Sequence, residues 1–297
     1  MAPFKGLSAF PITPANAGGR VDAPALGRLL ERLAMAGVDS IGLLGSTGTY
    51  AYLTREERRR AVEAAVGCVG GQVPIIVGIG ALRTDEAESL ARDAEAAGAD
   101  GLLLAPVSYT PLTEDEVYRH FLAVAGASGL PLCIYNNPTT THFSFSEALL
   151  ARLAALPTVK AVKMPLPKGF DYAAETGRLR AGAPEGFAVG YSGDWGCAEA
   201  VLAGADAWYS VIAGLLPAPA LKLMRAARAG DAAEVARLQA EFQPLWDLFK
   251  TYGGLRVVYA AAHILSLCET WPPRPILPCP DAELPRIAAA IERVQAI

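Results

Sequence analysis

Three times along the chain an alanine-rich stretch closes on Ala-Gly and a short apolar run follows at once. Residues 36–45 read Ala-Gly-Val-Asp-Ser-Ile-Gly-Leu-Leu-Gly, residues 97–106 Ala-Gly-Ala-Asp-Gly-Leu-Leu-Leu-Ala-Pro, and residues 203–212 Ala-Gly-Ala-Asp-Ala-Trp-Tyr-Ser-Val-Ile. Gly37, Gly98 and Gly204 stand where a helix ends in the left-handed conformation that glycine adopts without strain. The run after each has the length and apolarity of a strand buried on both faces. A repeated helix–turn–strand unit predicts an α/β chain built on parallel strands. Further strands at Gly6–Phe10, Pro74–Val77, Pro131–Tyr135, Val159–Lys163 and Phe187–Tyr191 bring the number to eight, which closes naturally into a (β/α)8 TIM barrel. An open doubly wound sheet is the main rival; no G-x-G-x-x-G follows the first strand, which counts against its dinucleotide-binding form.

Beyond about residue 215 the alternation stops. Residues 217–250, 252–268 and Ala282–Val294 read as helices, with Pro272, Pro273, Pro275, Pro278 and Pro280 breaking the chain between the last two. The expected organisation is a catalytic barrel over residues 1–224 and a C-terminal helical region over 225–297. A 52% hydrophobic, 19% charged composition supports a substantial core rather than disorder. The net charge is -4 and no basic run occurs, so nucleic acid is not expected as a partner. Five dispersed cysteines form no C-x-x-C pair, which fits a reducing compartment rather than a disulfide framework. The N-terminal residues lack the apolar core of a signal peptide, and no stretch of about 18 apolar residues is uninterrupted. A cytoplasmic protein without membrane association is expected.

Barrel enzymes work at the C-terminal ends of their strands. There the predicted strands present Gly45-Ser46-Thr47-Gly48, Pro106-Val107-Ser108-Tyr109, Tyr135-Asn136-Asn137-Pro138, Lys163, Ser192-Gly193-Asp194 and Ser210. Lys163 closes an apolar run; desolvation at a barrel mouth favours the free amine that attacks a carbonyl. The plainer reading is a strand-end lysine reaching for solvent. Tyr135 closes the preceding strand, so its hydroxyl is placed to relay protons beside the lysine, unless it is an ordinary rim tyrosine with a packed ring and a wet tip. The Gly-Ser-Thr-Gly turn offers backbone N–H groups and two hydroxyls to a carboxylate, or is a plain loop. Lysine, tyrosine and carboxylate cradle together describe a 2-keto acid site. No His, Asp and Glu grouping has metal-ligand spacing, so no catalytic metal is expected. His120, His142 and His263 read as packed or surface residues.

At these residues the chain resembles the dihydrodipicolinate synthase / N-acetylneuraminate lyase family of pyruvate-dependent class I aldolases. The strongest elements are the Tyr-Asn-x-Pro segment from Tyr135 and the lysine 28 residues after it. The resemblance implies that Lys163 forms a Schiff base with the substrate, with no separate cofactor. It implies that Tyr135 shuttles protons with Ser46, and that Ser46 and Thr47, with Gly48, hold the carboxylate. It further implies a homotetramer, a dimer of dimers, with a tyrosine from a partner subunit near the site. Tyr109 lies beside that position, which in strict alignment holds Ser108. The departures are Thr49 where the family usually has Glu, Met164 where the synthases have Glu, and Thr140 in place of their arginine for the second substrate's carboxylate. Thr140, Asp194 and Ser210 complete the expected substrate-binding set. Asp194 is read as a ligand for acceptor hydroxyls or as a solvated loop acid, and Trp195 as an apolar wall or as packing between barrel and appendage.

The function expected is a Schiff-base lyase or synthase joining pyruvate or a related 2-keto acid to an aldehyde, or cleaving the product. The alternative keeps the imine and expels a hydroxyl group, as a dehydratase of a 2-keto-3-deoxy sugar acid. A third possibility, from a different class, is a barrel that binds a small carboxylate without turnover.

Overall fold

The computed structural model describes residues 3–297. Eight parallel strands form a closed barrel in sequence order: β1 (Gly6–Ala9), β2 (Ser40–Leu43), β3 (Ile75–Gly78), β4 (Gly101–Leu104), β5 (Leu132–Tyr135), β6 (Val159–Pro165), β7 (Ala188–Ser192) and β8 (Ala207–Ser210). Closure runs from Gly6↔Ala207 to Ala9↔Ser210. Around the barrel lie α1 (Ala23–Ala36), α2 (Arg55–Val69), α3 (Thr84–Ala97), α4 (Glu114–Ala125), α5 (Pro138–Thr141), α6 (Glu147–Ala154), α7 (Tyr172–Ala181), α8 (Asp194–Leu202) and α9 (Pro217–Arg228). The C-terminal region is α10 (Ala232–Tyr252), α11 (Gly254–Ile264) and α12 (Leu284–Gln295). This is the (β/α)8 barrel with a helical appendage that the strand count predicts. Among the described residues no helix is long and apolar enough to cross a membrane.

The repeated unit has a structural role at each occurrence. Gly37 and Gly98 cap α1 and α3 at φ 80° and 91°, and Gly204, one residue past the cap of α8, has φ 96°. The aspartate two residues further on then grips a neighbouring strand with two hydrogen bonds. The backbone N–H groups of Asp39, Asp100 and Asp206 donate to the carbonyls of Leu7, Ile75 and Val189 at 3.0, 2.9 and 2.8 Å. The amides of the same three residues donate back to the aspartate carboxylates at 2.7, 2.8 and 3.0 Å. Each clamp fixes register at the N-terminal end of a strand pair, before the strand carries anything to the opposite rim.

Alternation along the strands sorts side chains between the barrel interior and the helix layer. Leu7, Ile41, Ile75, Ile134 and Val189 are fully buried beneath the helices. The interior is filled by Phe4, Phe10, Ile76, Leu103, Cys133 and Tyr209 with small alanines between them. Gly42 makes room there: a Cβ on it would lie 2.2 Å from the Phe10 ring.

Two helix expectations need correction. Residues 217–250 are two helices, because the chain turns at Gly230 (φ 74°) and Asp231 restarts it as an N-cap that accepts from the Glu234 amide. The helix expected over 252–268 begins at Gly254 and stops at Ile264. Residue 224, where the division is expected, lies inside α9, which packs on α8 and β1 as part of the barrel layer.

Candidate active site

Tyr135 and Lys163 are paired in register across β5 and β6. Both belong to the barrel's interior, and Lys163 is 4% exposed. The lysine Nζ lies 4.2 Å from the centroid of the Tyr135 ring, 3.9 Å from that of Phe10 and 5.6 Å from that of Tyr209. This is an amine drawn into the barrel rather than one reaching outward.

The Tyr135 hydroxyl is held by two partners. Asn137 Nδ2 donates to it at 2.9 Å, and Ser46 Oγ lies 3.4 Å away. With the phenol oxygen already accepting from Asn137, its own proton is free to pass to Ser46. Asn137 is oriented in turn by Thr139, whose hydroxyl donates to Asn137 Oδ1 at 2.8 Å. Side chains from the ends of β2 and β5 thus form one chain of hydroxyls and amides. Nothing in the local sequence marks Asn137 for this part, since its side chain must reach back two residues to Tyr135.

Ser46, Thr47 and Gly48 occupy the turn after β2. It is bracketed by two non-glycine residues in the left-handed region, Leu44 (φ 54°) and Thr49 (φ 55°). Such strain persists only where surrounding contacts enforce it. A Cβ on Gly48 would stand 3.0 Å from Thr13 Oγ1 and 3.1 Å from the Leu44 backbone, so a larger residue would fit only if these neighbours gave way. Thr49, where the family usually has Glu, is buried and hydrogen-bonds Tyr259 of α11, tying the turn to the appendage. A cleft of about 600 Å3 opens beside it, between Thr13, Thr49 and Tyr52 on one side and Trp271–Pro278 on the other.

The exit of β3 is braced by a residue absent from the sequence-based set. Arg58 of α2 is 4% exposed and donates to the carbonyls of Gly78 and Gly80 at 2.9 and 3.0 Å. Its guanidinium lies 5.2 Å from the Tyr50 ring centroid. Burial pushes Arg58 down to about 10, which leaves it charged at neutral pH, and pushes the Tyr50 phenol up to about 12.

Asp194, Ser210 and Tyr109 have other surroundings than the sequence suggests. Asp194 is neither a hydroxyl ligand nor a solvated acid. It is 2% exposed, and its carboxylate accepts from Trp208 Nε1 at 2.7 Å and from the amides of Val211 and Ile212 at 3.1 and 3.3 Å. Burial pushes it up to about 6, against the pull of these donors and of Ser210. Ser210 is fully buried; its Oγ accepts from the Ala213 amide at 3.0 Å and it bonds Asp194, so it too is structural. Tyr109 is 97% exposed on the β4–α4 loop, so one chain alone does not bring it to Lys163. Thr140 is exposed on α5, its hydroxyl donating to the Asn137 carbonyl at 3.3 Å. Trp195 packs between barrel and appendage, with Gln239 of α10 donating to its carbonyl at 3.5 Å.

The dihydrodipicolinate synthetase family model matches residues 3–294. The chain belongs to that family. It is 38% identical to a 4-hydroxy-tetrahydrodipicolinate synthase of Methylococcus capsulatus over 259 residues, 86% of this chain and 87% of the other. It is 34% identical to the corresponding enzyme of Acidiphilium cryptum, over 97% of both chains. Among solved structures, a dihydrodipicolinate synthase from Agrobacterium tumefaciens superposes with a TM-score of 0.97 at 65% identity, covering 98% of each chain. A chloride-inhibited dihydrodipicolinate synthase from Acinetobacter baumannii, crystallised with pyruvate, superposes with a TM-score of 0.89 at 28% identity, covering 99% of this chain and 100% of that one. This member of the dihydrodipicolinate synthetase family is an enzyme of the lyase type, a Schiff-base class I aldolase.

Proposed function

We propose that the reaction runs through Lys163 on pyruvate or a related short 2-keto acid, with Ser46, Thr47 and Gly48 receiving the carboxylate and Tyr135 and Ser46 moving the protons. The observation that carries this reading is the in-register pair: an amine and a phenol side by side within the barrel, the phenol linked to the carboxylate turn through Ser46. The Lys163 amine, through its nitrogen lone pair, adds to the C2 carbonyl. A proton delivered along Ser46 and Tyr135 lets the C2 oxygen leave as water, giving a protonated imine. That cation draws electrons from the C3–H bond; loss of the proton gives an enamine. The C3 of the enamine bonds to the aldehyde carbon, and the aldehyde oxygen takes up a proton. Water then cleaves the imine, restoring the amine and releasing a 4-hydroxy-2-keto acid. The reverse sequence cleaves such an acid. General acid–base relays of this kind contribute roughly 10²–10⁴-fold. The electron sink is the imine itself, so the scheme needs no cofactor.

Incubation with pyruvate and borohydride, followed by intact-mass measurement and peptide mapping, should add one reduced pyruvyl group at Lys163. A folded protein that gives no adduct refutes the scheme. The aldehyde partner is the open part. Thr140 stands where the related synthases carry an arginine, and its neutral hydroxyl favours an acceptor without a second carboxylate. The same neutrality supports the second reading, in which the imine expels a hydroxyl from a 2-keto-3-deoxy sugar acid. Assaying hydroxylated keto acids for aldehyde release against loss of water separates the two. A homotetrameric assembly is supported by family membership and by Leu82 and Tyr109, 66% and 97% exposed on the β3 and β4 loops. A cytoplasmic setting is supported by five free cysteines, four of them buried.

A further inference from the structure

Lys163 Nζ is faced by three aromatic rings: Phe10 at 3.9 Å, Tyr135 at 4.2 Å and Tyr209 at 5.6 Å from their centroids. Tyr135 is accounted for by proton transfer. Phe10, the nearest, has no hydroxyl and no part in the scheme above. Its ring is fixed from several sides. Cβ atoms on Gly42 and Gly45 would stand 2.2 and 2.5 Å from it, and Tyr209 meets it edge-on at 6.0 Å with an interplanar angle of 80°. It is 2% exposed. A packing residue needs to fill volume; this one also presents its π face to the atom that carries charge during the reaction.

We propose that Phe10, backed by Tyr209, is a charge-stabilising residue of the Schiff-base cycle, whose fixed π face favours the protonated imine on Lys163 over the neutral carbinolamine and enamine on either side of it. This rests on the Schiff-base reading. The carbinolamine and the enamine are neutral at Nζ; the protonated imine is cationic there. A ring quadrupole attracts the cation and is nearly indifferent to the neutral forms, and the attraction is greatest where water is excluded. Phe10 therefore raises the occupancy of the imine without taking or giving a proton. Among the described residues Lys163 pairs with no carboxylate, and Asp194 is engaged by Trp208 and the backbone of the β8 exit. The aromatic face stands in for the missing counter-charge.

The test is a fluorination series at position 10. Phenylalanine, 4-fluoro- and 3,4,5-trifluorophenylalanine, introduced by amber suppression, keep the ring's shape while draining its π face. The imine dissociation constant for pyruvate, measured by quantitative borohydride trapping, should rise stepwise with fluorine number, reaching roughly tenfold for the trifluoro ring (about 1.4 kcal/mol). Phe10→Leu, an apolar filler without a π face, should fall at or beyond that point with its melting temperature monitored alongside. An unchanged constant across the series, or Phe10→Leu equal to wild type, overturns the proposal and leaves Phe10 as packing. Absence of any adduct on the unmodified enzyme would instead overturn the Schiff-base reading, so the two failures are distinguishable.

Discussion

The two ends of this barrel put their polar side chains to different uses. At the N-terminal pole Asp39, Asp100 and Asp206 each exchange two hydrogen bonds with one residue of the adjacent strand, and nothing there is left for chemistry. At the C-terminal rim the hydroxyls of Ser46 and Tyr135 bond each other loosely, at 3.4 Å, and the lysine beside them bonds no acceptor among the described residues. The three clamps are satisfied, while the rim is partly satisfied and so available to a substrate. This is how a barrel separates stability from activity, and mutations at the two ends should separate the same way.

The largest effect belongs to the rim. Lys163→Ala should reduce turnover to background, a loss on the scale of removing a nucleophile, roughly 10⁶-fold, with an unchanged circular dichroism spectrum. Retained activity above a hundredth of wild type would mean the chemistry lies elsewhere. Tyr135→Phe comes next. It keeps the ring against Lys163 and deletes the hydroxyl that links Ser46 to Asn137, so kcat should fall by roughly 10²–10⁴ while the melting temperature hardly moves. Steady-state kinetics beside a thermal melt decides this; a KM effect with normal kcat would reassign Tyr135 to binding.

Asp194 sharpens the comparison because it sits at the rim yet behaves like the pole. Burial holds its folded-state value up to about 6, against 3.8 for the ordinary side chain. A carboxyl raised on folding contributes stability below its unfolded value, and that contribution is lost as the pH rises through the folded one. The stability of wild type relative to Asp194→Asn should therefore be greatest near pH 4 and decline by roughly 3 kcal/mol towards pH 7. Denaturant unfolding of both proteins at the two pH values measures this. A pH-independent difference, or a selective loss of affinity for hydroxylated acceptors, would return Asp194 to the substrate.

The pattern of legibility follows the same division. The repeated Ala-Gly-x-Asp unit announced strands, helix ends and parallel topology because each of its signals is local: a glycine after a helix, an apolar run after a turn. Lys163 and Tyr135 were legible because they end predicted strands, and the barrel rule gives the place where strand ends matter. Asp194 was misread because its partners, Trp208, Val211 and Ile212, follow 14 to 18 residues later on the next strand's exit. A loop acid and a buried anchor look alike until that crossing is known. Phe10 and Tyr209 were passed over for a related reason. Strands buried on both faces show no polar alternation, so the sequence does not tell which side chains point into the barrel. The break at Gly230 is legible as Ala-Gly-Asp ahead of a fresh helical run, the same helix-ending glycine that the repeated unit uses.

The smallest effects are expected from the three clamps, and their ranking is the finer test of the pole. Each aspartate loses one charge-assisted bond on mutation to alanine, which costs roughly 1–3 kcal/mol and leaves kcat untouched. The three are not equal. Asp206 also pairs with Arg180 at 2.7 Å, its side chain 19% exposed. Asp39 is 38% exposed and reaches Arg228 only at 3.7 Å. Asp100 is exposed, so water replaces much of what it gives its strand. Asp206→Ala should therefore lie at the upper end of the range, Asp39→Ala in the middle and Asp100→Ala at the bottom, read as shifts in the urea midpoint at constant slope. A clamp whose loss alters kcat more than stability would show that register at the pole reaches Lys163, and that the two ends are coupled rather than divided.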